Sequence, residues 1–65
     1  MEVFINQTSV KIFKGARLRD VILKYSKHSY KQLMNKQIEI EDERGNLMEE
    51  DGRVWNGIKL FIKQK

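Results

Sequence analysis

The chain has 65 residues, 40% of them hydrophobic and 34% charged, with a net charge of +4 and no cysteine. A domain of about 60 residues buries only about 60% of the surface it exposes when unfolded, which leaves room for one small core and no deep cleft. Without cysteine there are no disulfides, thiolate nucleophiles, iron–sulfur clusters or thiolate-bound zinc, and His28 as the single imidazole excludes a histidine-rich metal site.

The first elements read as a hairpin. Glu2-Val3-Phe4-Ile5-Asn6 and Ser9-Val10-Lys11-Ile12-Phe13 are short, β-branched and aromatic, with only Gln7-Thr8 between them. Taking Gln7 and Thr8 as the central turn residues sets Ile5 opposite Val10 and Val3 opposite Ile12. Val3, Ile5, Val10 and Ile12 then share one face, and Phe4, Lys11 and Phe13 the other. Gly15 breaks the strand, and the period changes: Leu18, Val21, Ile22 and Tyr25 stand at i, i+3, i+4 and i+7, predicting a helix over 17–27 that packs this stripe on the sheet. Arg19, Asp20, Lys24 and Lys27 take the solvated side. No good N-cap residue precedes the helix, so its first turn depends on tertiary contacts.

Tyr30, Leu33 and Met34 are spaced for a second short helical turn within 26–36. The stretch 37–42 alternates and predicts a half-buried strand with Ile38 and Ile40 inward. A turn at 43–46, a brief extended pair Leu47-Met48 and an acidic loop Glu49-Glu50-Asp51-Gly52 follow. Trp55 is placed as a cap on the bottom of the core, with an interface anchor as the second reading, Asn56-Gly57 is a tight-turn signal, and 58–63 forms the last strand with Leu60 and Ile62 on one face and Phe61 on the other.

The order strand, strand, helix, strand, short strand, strand resembles the α+β β-grasp or ubiquitin-like fold, a mixed four- to five-stranded sheet packed on one helix, here filling residues 1–65 as one domain. Within that fold the chain is similar to the small sulfur-carrier proteins of thiamine and molybdopterin synthesis. The likeness rests on Val3-Phe4-Ile5-Asn6, on Phe13-Lys14-Gly15-Ala16-Arg17-Leu18-Arg19-Asp20-Val21-Ile22 and on Asn56-Gly57-Ile58-Lys59-Leu60-Phe61-Ile62. These are signatures of fold rather than of chemistry. The resemblance implies carriers with a flexible tail ending in Gly-Gly, whose carboxylate a partner enzyme adenylates and converts to a thiocarboxylate. A chain complete at Lys63-Gln64-Lys65 is expected not to be such a carrier; the same chain extended to Gly-Gly would be one.

The resemblance further implies that partners dock on the sheet face the helix leaves open. The alternation puts Phe4, Phe13 and Phe61 there, flanked by Lys11 and Lys63, and these five residues are the expected partner-binding site. The expected partner is a protein; no catalytic residue, cofactor or metal is expected.

Other signals are weaker. Glu41, Asp42, Glu43, Glu49, Glu50 and Asp51 lack the spacing of a calcium loop and read as a solvated rim able to meet a basic partner. Charge is segregated, with +6 over 1–37, −5 over 38–53 and +3 over 54–65. That polarity fits nucleic acid poorly, although Lys11, Lys14, Arg17, Arg19, Lys24, Lys27, Lys31 and Lys36 with Tyr25 and Tyr30 keep a basic nucleic-acid-associated domain as an alternative. His28 reads as a surface residue at a helix end. No stretch has the length of a membrane span or the form of a signal peptide, so a cytoplasmic location is expected.

Overall fold

A computed structural model describes residues 1–65. Its elements are β1 (Glu2–Ile5), β2 (Thr8–Lys11), α1 (Leu18–Tyr25), α2 (Lys27–Met34), β3 (Ile38–Asp42), β4 (Leu47–Met48) and β5 (Lys59–Gln64). They form a small α+β structure. One five-stranded mixed sheet has the order β2-β1-β5-β3-β4. The β1–β5 pair at its centre is parallel and the other pairs are antiparallel.

The hairpin differs in register from the sequence expectation. Val3 pairs with Val10 and Ile5 with Thr8, so Asn6 and Gln7 make the turn. Both have positive φ, 47° and 70°, the backbone that matches the twist of the strands in a two-residue connection. Asn tolerates that conformation because its short amide bonds locally, and Asn6 also accepts the Ile62 N–H through Oδ1 at 3.0 Å. Ile12 therefore pairs with Met1: the amino terminus donates to the Ile12 carbonyl and the Ile12 N–H to the Met1 carbonyl. A slip of two residues keeps the faces, and Val3, Ile5 and Val10 are buried together.

Two helices stand where one helix and a further turn were expected. Ser26 separates them, with extended backbone, its N–H closing α1 on the Ile22 carbonyl and its hydroxyl accepting the Ser29 N–H at the start of α2. Leu33 of α2 is buried whereas Met34 faces solvent. After α2 the Gln37 N–H bonds back to Gln32 and the Lys36 N–H to Leu33, with Lys36 at φ +59°, a helix end that usually carries glycine.

The backbone of the loop at 49–52 has a structural role that the sequence did not suggest. Carbonyls of Gly52 and Glu50 accept the Leu18 and Arg19 N–H groups at 2.9 Å each. The Asp20 carboxylate accepts the Arg17 N–H at 2.8 Å. The free donors at the start of α1 are thus satisfied by a distant loop and by its own third residue, in place of a capping side chain at Arg17.

One cluster of 13 buried hydrophobic residues fills the space between sheet and helices, with Leu18, Val21 and Ile22 of α1 set on Val3, Ile5, Ile40 and Leu60. Ile38 and Ile40 point inward and Leu60 is fully buried, while Ile62 is only partly buried at the edge of the core. The opposite sheet face carries no helix.

Candidate protein-interaction face

Register assigns the uncovered face residue by residue. Because Val3 and Ile5 point into the core, Glu2 and Phe4 point away from it on β1; Lys59, Phe61 and Lys63 do so on β5, Glu39 and Glu41 on β3, and Ser9 and Lys11 on β2. Phe4 is level with Lys59 across the parallel pair, and Phe61 is level with Glu41 and, beyond it, Leu47. The two rings thus lie on neighbouring strands about two residues apart.

They meet in a shallow groove. Phe4, Gln7, Glu43, Lys59 and Phe61 line an open concavity of about 460 Å3. Both phenylalanines are half-buried, held by their neighbours on the sheet rather than by the core. Phe13 stands apart from them. It follows the end of β2 and is 61% exposed; Ser9 is the residue opposite Phe4, and the four residues from Ser9 to Phe13 span about 13 Å of extended chain. The structure therefore brings Phe4 and Phe61 together and leaves Phe13 at the other end of the edge strand.

The two lysines expected beside the aromatics lie on the same face. Lys11 is opposite Glu2 in the β1–β2 ladder, and Glu2 also accepts the Ser9 hydroxyl. Lys63 Nζ is 3.3 Å from Glu41 Oε1 and Lys65 Nζ 4.0 Å from Glu39 Oε1. At these exposures such pairs contribute about 0–1 kcal/mol; their effect is to surround the aromatic groove with charges of both signs. Leu47, 60% exposed on the short edge strand β4, adds an apolar side chain to this face beyond Glu41.

The remaining candidates disperse. The eight basic residues of 1–37 spread over β2, the two helices and the intervening turns instead of lining one surface. His28 is exposed near the start of α2. No three His, Cys, Asp or Glu side chains converge closely enough to hold a metal ion, and no helix is long and apolar enough to cross a membrane. Trp55 does not cap the core: it is 57% exposed, and Val54 and Ile58 on either side of its turn are the buried residues. Asn56 and Gly57 fix that turn from outside the core, Asn56 Oδ1 accepting the Glu2 N–H at 2.8 Å and Gly57 N–H donating to the Glu2 carbonyl at 2.7 Å. These bonds commit the loop backbone to β1 and leave the indole turned outward, a result of long-range pairing that local sequence does not encode.

Comparison with protein-family models, with curated proteins and with solved structures finds no match to this chain.

Proposed function

We propose that the chain is a non-catalytic β-grasp domain, related to the small sulfur-carrier proteins, that acts as a protein-interaction or carrier-like module through the open face of its sheet. The observation that carries this reading is the convergence of Phe4 and Phe61 in one groove on the face that neither helix covers. Aromatic side chains held in a concavity and ringed by charge are the usual anchors of protein interfaces, because they bury large area with little loss of side-chain freedom. The strand order, with a parallel β1–β5 pair at the centre and a hairpin at one edge, supports the β-grasp assignment. Glu2, Glu39 and Glu41 interleave with Lys11, Lys59 and Lys63 on this face, a balance that suits a protein surface and offers no net attraction to an extended phosphate backbone.

The test is site-specific photocrosslinking in the native cell. A photoreactive phenylalanine analogue at position 4 or 61 is expected to give the same discrete protein adduct, and one at Lys24 or Lys31 on the helices none; Phe4→Ala in the position-61 probe should remove the adduct while circular dichroism stays unchanged. Adducts that form equally well from the helix positions, or none from the sheet positions, would refute the proposal.

A further inference from the structure

A second concavity, separate from the aromatic groove, lies between the connection that leads into α1 and the loop that precedes β5. Met1, Lys14, Arg17, Arg53, Val54 and Trp55 are among the residues that enclose this open cleft of about 540 Å3. That volume is within the range of small-molecule sites, about 300–1,000 Å3, in a chain whose length predicts no deep cleft. Its two walls are tied together: Arg17 and Arg53 form an isolated antiparallel bridge, the Leu18 N–H donates to the Gly52 carbonyl at 2.9 Å, and the Arg17 guanidinium donates to the Asp51 carbonyl at 3.1 Å. The cleft is therefore formed before any ligand arrives.

Its chemistry is one-sided. Three cationic side chains line it and no carboxylate does, although seven acids lie in 38–53. The molecule's two ion pairs, Lys63–Glu41 and Lys65–Glu39, involve none of the three cations. Beside them the indole of Trp55 is 57% exposed, so the cleft offers a flat aromatic surface next to a concentrated positive charge. An anion with a planar ring satisfies both features at once: a base stacks on an aromatic side chain, and guanidinium groups bind phosphate in a bidentate manner. A run of acidic residues supplies charge but no flat ring to cover the indole. A long nucleic-acid strand leaving the cleft would run past the acidic residues 49–51, which adjoin its wall through the Arg17–Asp51 contact.

We propose that this cleft binds a free nucleotide, with the base stacked on Trp55 and the phosphates paired with Arg17, Arg53 and Lys14. Trp55 is the one tryptophan of the chain, so intrinsic fluorescence reports on the cleft directly. Titration with ATP is expected to quench it saturably, with adenosine and inorganic pyrophosphate each binding about tenfold or more weakly, since each lacks one half of the recognition. Arg53→Glu should weaken ATP about tenfold or more, and Lys31→Glu on α2, with the same charge change, should not. If circular dichroism shows Arg53→Glu unfolded, Lys14→Glu makes the same comparison. No saturable response to ATP, or equal affinity in the Lys31→Glu and cleft variants, overturns the proposal. So does tighter binding of a single-stranded oligonucleotide or of oligoglutamate, which would assign the cleft to a polymer or to an acidic peptide.

Discussion

Replacing Gln7 by glycine tests the hairpin at the edge of the sheet. Gln7 is held at φ +70° beside Asn6 at +47° in a two-residue turn between Ile5 and Thr8. A side chain in the left-handed region costs about 1–2 kcal/mol, and Asn-Gly is the pair best suited to a turn with both φ positive. Glycine removes that cost and enlarges the freedom of the unfolded chain by about 0.5–1 kcal/mol. The expected net gain for Gln7→Gly is about 0.5–1 kcal/mol, which for a domain of this size raises Tm by about 2–8 °C. Gln7→Ala, which removes the side chain from the groove without freeing the backbone, should not stabilise. Thr8→Gly should cost about 1 kcal/mol, because Thr8 is a strand residue paired with Ile5. Thermal and urea unfolding followed by circular dichroism measure all three. If Thr8→Gly stabilised and Gln7→Gly did not, the turn would centre on residues 7 and 8, and the register described above would be wrong. Lys36 at φ +59° closes α2 by the same backbone geometry, so Lys36→Gly provides an independent copy of the comparison.

Two further predictions concern the loops. The Asp42 carboxylate accepts the Asn46 and Arg44 N–H groups at 2.9 Å each and the Asn46 side-chain amide at 3.3 Å. These bonds, the Asn46 backbone bond foremost, together with the nearby Arg44 charge hold its pKa below the ordinary 3.8, outweighing the desolvation that opposes them. A folded pKa below the unfolded one gives stability that is complete above about pH 4 and is lost as pH falls through the depressed value. The amide shifts of Arg44 and Asn46 should therefore titrate together with a midpoint below 3.8, and Asp42→Asn should flatten the acid limb of stability; a midpoint at or above 3.8 would contradict the assignment. At the start of α1, Asp20→Ala should cost about 1 kcal/mol and speed hydrogen exchange at Arg17, whose N–H the carboxylate accepts; unchanged exchange there would show that the loop carbonyls alone hold that turn.

Alternation and helical spacing read correctly where burial is one-sided. Val3, Ile5, Ile38, Ile40, Leu18, Val21 and Ile22 form the core, because a period of two or of 3.6 fixes which side chains can leave water together. The pattern could not fix the register: a slip of two residues preserves every face, so the choice between Gln7-Thr8 and Asn6-Gln7 fell to turn geometry and to the Met1–Ile12 pairing beyond it. The break at Ser26 was legible only in part, since its hydroxyl serves as a cap once Leu33 is drawn onto the core and α2 must change direction.

The candidate surfaces divide in the same way. Sequence by itself determined that Phe4 and Phe61 lie on the outward face of their strands, because outward and inward alternate along any strand whose other side is apolar. Only the tertiary structure decided that these two rings share a groove while Phe13 stands apart, since neighbourhood across strands depends on order and stagger. It also turned Trp55 out to solvent beside Arg17, a residue from a distant segment that meets the Arg53–Trp55 stretch only through the bridge joining Arg17 to Arg53. Local pattern records which way a side chain must face relative to its own backbone; the meeting of side chains from distant segments is set by the hydrogen bonds that dock one segment on another, and those exist only in the folded chain.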